Sequence, residues 1–529
     1  MCLPIDSVCV RYSDNNINQE YQCTESTTHT NCIYFCNNLG IATNFGRNLF
    51  YGFKRSNGII TNISVLKDLV SMLLSRVEHL ESANALLRSE NAALKAENEE
   101  LKSRLNKNSS NSHKPPSTDG LNKKPAFSRS KGRATGGQAG HTGRTLTMVD
   151  EPDRIVIHHA AECPCCHKAF SSSDVGQIGT KRPVFDLPSP RLEVEKHQIG
   201  IITCCGAQHK GAFPELVGQP VQYGPKIKAM SVLLNVDYKL PFEKVEQLFG
   251  DLFSCSFNES TAVSANAACH EALAATEEYI KEQILSSPVA HFDETGMRVE
   301  DKLHWFHVAS TVLFTYLFVH AKRGADALLS TSSLIKEFKN WAVHDCWESY
   351  FDFLGCRHVL CNAHILRELT ALIENGSVWA AEMHKLLMEI YKESEKATKI
   401  LPNKEIWIER YKLACQHADK EEPPPVQGKR GRPKNSKGRN LLNRLVKHQD
   451  GVLAFAFEQG IPFTNNQAER DIRHLKTKQK VATSFRTFKG AEQYARIQAF
   501  VSSLRKHNMN VFQNLVIVLQ NKTVDFTAA

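Results

Sequence analysis

The stretch 289-VAHFDETGMRVEDKLHWFHVASTVLFTYLFV-319 decides how the centre of this chain folds. It reads as three strands. Val289–Asp293 follows Pro288 as an apolar run that brings a carboxylate up on a buried strand. Leu303–Val308 and Val312–Val319 alternate or are rich in aromatic and β-branched residues, as a hairpin needs. Downstream, Asp326–Phe338 reads as a helix, and Trp341–Cys346 as a fourth strand ending at a second acid, Asp345. A third acid lies far along the chain in 464-TNNQAERDIRHLKTKQK-480. Thr464 is expected to cap a helix there, with Gln467 completing a capping box. Ala468, Ile472 and Leu475 form the packed stripe. One step round lie Glu469, Arg473, Lys476 and Lys480, an acid and three cations on one face. Such a face suits a metal and its flanking phosphates. Asn465 and Asn466 sit at the positive helix end, where they are expected to orient Glu469 or touch DNA.

Taken singly, each acid has an ordinary reading as a turn residue, a strand-end acid or half of a surface ion pair. Their settings do not stand singly. His-Phe-Asp293-Glu-Thr-Gly, His-Asp345-Cys-Trp-Glu-Ser-Tyr and Thr-Asn-Asn-Gln-Ala-Glu469-Arg-Asp-Ile-Arg together resemble the DDE transposases, specifically the insertion sequence 66 family. The resemblance runs from residue 63 or so to residue 518 or so. The β-β-β-α-β order looks like a ribonuclease-H-like α/β core, in which Asp293 and Asp345 sit side by side. The resemblance implies that Asp293, Asp345 and Glu469 hold two Mg²⁺ (or Mn²⁺) ions per active site. Two such ions clamp the attacking and leaving oxygens of an in-line phosphoryl displacement. The implied activity is binding of an element's terminal inverted repeats, DNA strand cleavage and strand transfer. Glu294 adjoins Asp293 and is a decoy for the ligand. The rival readings are a catalytically inactive, domesticated DNA-binding regulator and a structure-selective nuclease.

The remaining features fit a DNA partner. The chain has 529 residues, too many for one core, and a net charge of +9. Between Lys107 and Arg144 there are eight Lys or Arg and one acid. Within that arm, Lys123, Lys124, Arg129, Lys131 and Arg133 can follow phosphates and gain from counterion release. A second basic cluster contains Lys429-Arg430-Gly431-Arg432-Pro433, which resembles an AT-hook; an extended Arg-Gly-Arg suits a narrow minor groove. No apolar run approaches the ~20 residues of a membrane helix, so a cytoplasmic, nucleoid-associated protein with no membrane partner is expected.

From Val70 to Leu105 a seven-residue repeat places Leu73, Leu80, Leu87, Leu94 and Leu101 at every d position. Val70, Val77, Asn84, Asn91, Asn98 and Leu105 occupy a. Leu at d with Asn at a favours a parallel two-stranded coiled coil, hence a homodimer. Accessory transposition proteins are a further partner that the resemblance suggests.

The sixteen cysteines should be mostly reduced thiols. Cys163 and Cys166 form a Cys-x-x-Cys knuckle, and Cys204 and Cys205 follow with His209 nearby. This is a zinc-ribbon pattern with an unusual adjacent second pair, and a structural Zn²⁺ is expected there, with Cys165 or His209 in reserve. Cys361 and His364 form another pair, but two candidate ligands do not make a zinc site.

The expected layout is an N-terminal extension (1–62), a coiled coil (63–107), a basic linker (108–150) and a zinc-finger-like module (151–215). A helical DNA-binding or connecting region (216–285) follows. The catalytic core (286–368 and 452–510) is interrupted by a helical insertion (369–451), and 511–529 is a tail.

Overall fold

A computed structural model describes residues 63–105, 107–108, 111–112, 146–158, 160–171, 180–397, 400–425 and 435–528. Residues 1–62, the arm at Lys123, Lys124, Arg129, Lys131 and Arg133, and the hook residues Arg430 and Arg432 lie outside the described residues. The chain divides into two units, Met1–Lys102 and Ser103–Ala529.

Helix α1 (Ile63–Leu105) has no Gly or Pro to break it. Its d-position leucines, Leu73, Leu80, Leu87, Leu94 and Leu101, are 47–59% exposed, an apolar row facing solvent. The hairpin of β1 (Ile201–Cys204) and β2 (Ala207–Lys210) turns through Cys205 and Gly206. Both have positive φ, as a two-residue type I′ turn requires. Four α-helices follow: α2 (Pro225–Val232), continued by a π-helical turn at Leu233–Asp237, α3 (Phe242–Phe253), α4 (Glu259–Ala272) and α5 (Ala274–Ser286).

The sheet is built on β3 (Val289–Val299). It pairs antiparallel with β4 (Lys302–Ser310), which pairs antiparallel with β5 (Thr315–His320). On its other side β3 pairs parallel with β6 (Trp341–His344), which pairs parallel with β7 (Arg357–Leu360). The order is therefore β5-β4-β3-β6-β7, in a mixed α/β unit.

Two expected elements differ in extent within this unit. The helix expected over Asp326–Phe338 is a single turn, α6 (Ala325–Leu328). The run Ser330-Thr331-Ser332-Ser333 ends it, because hydroxyls bond locally and compete with helix propagation; the Ser330 hydroxyl donates to Ala327 O at 2.7 Å. The strand expected from Val312 starts at Thr315, because Thr311 Oγ1 accepts the Phe314 N–H at 3.0 Å and closes a turn. Residues 511–529, expected as a tail, carry a further helix, as described below.

Beyond β7 come α7 (Asn362–Ile373), α8 (Val378–Lys396), α9 (Lys404–Glu421), α10 (Lys437–Lys447) and α11 (Gln449–Phe457). They share a core of Trp379, Met383, Leu387 and Tyr411 that continues onto Val343 and Val359 of the sheet. Burying each such side chain contributes about 1.5–3 kcal/mol. The chain then forms α12 (Asn466–Ala482), the short β8 (Ser484–Phe485), α13 (Phe488–Lys506) and α14 (Val511–Leu519). Asn510 caps α14 by accepting the Gln513 N–H. Val511, Leu515 and Val518, with Phe526 after the helix, are buried in the main core, so the C-terminal segment is part of the fold.

Candidate active site

The pairing of β3 with β6 sets the two aspartates level. His291 lies opposite Val343, so two residues further on stand Asp293, within β3, and Asp345, just past the end of β6. Helix α12 packs against β3 and β4 and supplies Glu469 in its first turn. The electrostatics record the convergence. Burial, then the charges of Glu294, Asp345 and Glu469, push the Asp293 carboxyl well above the usual carboxylate range. Asp345 and Glu469, each more than fifty residues from Asp293 in sequence, thus lie near enough for their charges to act on it.

Glu294 is held differently. Its side chain is 2% exposed and accepts from Arg323 Nε at 2.7 Å and from the Tyr350 hydroxyl at 2.7 Å. Arg323 lies over the Trp347 ring at 3.6 Å and reaches Asp345 Oδ2 with Nη2 at 3.9 Å. The Trp347 N–H donates to Asp345 Oδ1 at 3.1 Å. Arg323 carried no signal in the sequence, and Tyr350 only its place at the end of the motif around Asp345; each meets Glu294 only through the fold.

Asn465 is the buried hub of the site. It is 1% exposed, so it does not reach DNA. Its Nδ2 donates to Phe292 O at 2.8 Å, and its Oδ1 lies 2.9 Å from His291 Nδ1. With the amide nitrogen committed to Phe292, Oδ1 accepts, which puts a proton on His291 Nδ1. The Asn465 N–H donates to Cys361 Sγ at 3.1 Å, and its carbonyl accepts from Glu469 N at 3.2 Å. One residue thus joins the strand of Asp293, the end of β7 and the helix of Glu469. The expected capping box is absent: Asn465 is the N-cap without a side-chain cap, and Gln467 Nε2 donates to Asp471 at 3.0 Å instead. Partners 173 and 174 residues away in sequence outcompete the local box.

Arg473, Lys476 and Lys480 are exposed along α12, and Lys476 Nζ lies 3.4 Å from Gly296 O on β3. Cys361 and His364, which as a pair were not expected to make a zinc site, gain a third candidate ligand. Among the described residues, Cys361, His364 and Glu469 form a group whose ligand atoms all lie within 4.8 Å of one another. His364 Nδ1 is 4.0 Å from Glu469 Oε1. Cys163 and Cys166 lie on a turn closed by the His167 N–H donating to Cys163 O at 2.9 Å, and Cys204 and Cys205 on the β1–β2 hairpin. These four thiols, with Cys165 and His209, are not gathered into such a group.

The profile described as Transposase IS66 family matches residues 220–493, just over half of the chain, and spans all three acids. A second, described as Family of unknown function (DUF6444), matches residues 66–147, across the heptads and the basic arm. Among curated proteins none matches this chain. Among the described residues, no helix is long and apolar enough to cross a membrane.

Proposed function

The chain belongs to the Transposase IS66 family, and on that premise we propose that it is a DDE transposase. In this reading it binds the ends of its own element, cleaves DNA there and transfers the strands to a target. The convergence of Asp293, Asp345 and Glu469 carries the reading. The strand order, with β4 antiparallel and β6 and β7 parallel to β3, supports a ribonuclease-H-like core.

The residues fit divalent cations. The donors are carboxylate oxygens, their mutual repulsion calls for a positive charge between them, and Glu469 Oε1 is buried without a hydrogen bond. Asp293, Asp345 and Glu469 would hold Mg²⁺ or Mn²⁺, which when bound polarises phosphate oxygens and supplies a strong nucleophile from water. The protein's own residues set the stage for that chemistry. Asn465 fixes Glu469 relative to Asp293. Trp347 and Arg323 hold the Asp345 carboxylate. Arg473, Lys476 and Lys480 would meet the phosphates that flank the scissile bond. The arm at residues 123–133 and the hook at Arg430 and Arg432 would add affinity along the DNA.

The exposed leucines of α1, with Asn84, Asn91 and Asn98 at a positions, support a parallel homodimer in which two protomers hold two element ends. Light scattering should give a dimer, and Leu80→Ser with Leu87→Ser a monomer. A dimeric double variant would place the interface elsewhere.

The deciding experiment incubates the full chain with plasmid carrying the gene's own flanking DNA, with Mg²⁺ or EDTA. Metal-dependent nicks at fixed flanking positions are expected. Specific binding to pre-cut ends without strand transfer would support a regulator instead, and scattered nicks a nuclease.

A further inference from the structure

We propose that Cys361, His364 and Glu469 form a binding site for a thiophilic divalent cation such as Zn²⁺, sharing Glu469 with the acidic cluster. The three residues come from two elements that the fold brings together. Cys361 directly follows β7 and is the N-cap of α7, His364 is in the first turn of α7, and Glu469 is in the first turn of α12. Sulfur, nitrogen and oxygen ligand atoms lie within 4.8 Å of one another. A tetrahedral zinc site with bonds near 2.0–2.3 Å keeps its ligand atoms about 3.5 Å apart, so side-chain rotations of roughly an ångström close it.

Three further observations favour a ligand here. Glu469 Oε1 is buried and has no hydrogen bond, so one acceptor already faces inward without a donor. Cys361 is 1% exposed, and its sulfur accepts the Asn465 N–H at 3.1 Å, the kind of backbone donor that steadies a metal-bound thiolate. The donor set is also wrong for Mg²⁺, which prefers all-oxygen octahedra, and right for a softer ion. Binding of the ion deprotonates the thiol, whose proton goes to solvent. Three protein ligands leave a fourth position open.

The consequence is competition. An ion held by Cys361 and His364 draws Glu469 away from the oxygen ligands of the acidic cluster, so Zn²⁺ would inhibit a Mg²⁺-dependent reaction. That consequence, unlike the binding itself, rests on the proposed catalytic role of Glu469.

The two are tested separately. The full chain is titrated with Co²⁺, and the thiolate-to-cobalt charge-transfer band is read as a difference between wild type and Cys361→Ser. The difference removes any contribution from Cys163, Cys166, Cys204 and Cys205. A band lost in Cys361→Ser, with affinity weakened about tenfold or more in His364→Gln, is expected. Should Cys361→Ser fail to fold, His364→Gln and Glu469→Gln, both at less buried positions, carry the same test. Spectra and affinities that do not change in these variants overturn the site. Zinc inhibition of plasmid nicking is then compared between wild type and His364→Gln. Cobalt binding at Cys361 without any inhibition by Zn²⁺ would leave the site standing and remove Glu469 from the catalytic reading.

Discussion

Glu469→Gln should fold, bind element ends and lose cleavage by about 10³-fold or more. The substitution keeps the side chain's size and removes its charge. A divalent ion at such a centre contributes several kcal/mol of charge stabilisation, and each 1.36 kcal/mol is a factor of ten in rate. The same result is expected of Asp293→Asn and Asp345→Asn. Stability should move the other way. The charge of Glu469 is one cause of the raised Asp293 carboxyl, so its removal relieves repulsion in the metal-free protein. A thermal midpoint equal to or above wild type is expected of Glu469→Gln, the signature of a residue kept for activity at a cost to stability. Glu294→Gln is the contrasting control. It removes a charge-assisted pair with Arg323 and weakens the bond from Tyr350. The expected loss is about 1–3 kcal/mol of stability, with nicking within about tenfold of wild type. The measurements are nicking rate and thermal midpoint on the four variants. Full nicking by Glu469→Gln in Mg²⁺ would falsify the assignment of the acids.

What the sequence disclosed depended on how local the determining interactions are. The strands around Asp293 were legible because β-branched and aromatic residues report a pleated, half-buried surface over a short window. The buried stripe Ala468, Ile472, Leu475 was legible because helix periodicity is equally local. Lys478 extends that stripe, a cation buried on a face that composition alone marks as polar. The level placement of Asp293 and Asp345 needed the parallel register of β3 with β6, which resemblance suggested and spacing could not. Asn465 was visible as a residue near Glu469, but its partners His291, Phe292 and Cys361 lie over a hundred residues away. The third member of the Cys361–His364 group was hidden for the same reason. Arg323 lies just past β5 in a stretch with no motif; its importance comes entirely from what the sheet sets beside it.

The largest effect on stability should come from Lys506→Met, one helix beyond Glu469 in sequence and tied to the acids through α12. Lys506 Nζ lies 2.6 Å from Asp471 Oδ2, with the two side chains 11% and 12% exposed. The ammonium also donates to Thr311 O at 2.7 Å, Phe314 O at 2.9 Å and Ser310 Oγ at 3.1 Å. Asp471 in turn accepts from Ser310, from Thr315 at 3.1 Å and from Gln467 at 3.0 Å. This network pins α12 to the end of β4, the start of β5 and the end of α13, two residues from Glu469. Burial holds the Lys506 ammonium below its ordinary range despite the pull of Asp471, so the pair is favourable only as a pair. Methionine keeps the stem's packing and strands a carboxylate among neutral donors. Removing one member of a buried pair costs about 3–5 kcal/mol. Asp471→Asn should cost a similar amount by leaving the ammonium with neutral acceptors alone. The double variant carries neither charge, so its loss should fall short of the sum of the singles by about 2 kcal/mol or more. Urea midpoints of the full chain, read with the slope to check that unfolding stays cooperative, measure all three. Single-variant losses below about 1 kcal/mol would mean that water reaches the pair, and that α12 is held against the sheet by its apolar stripe alone.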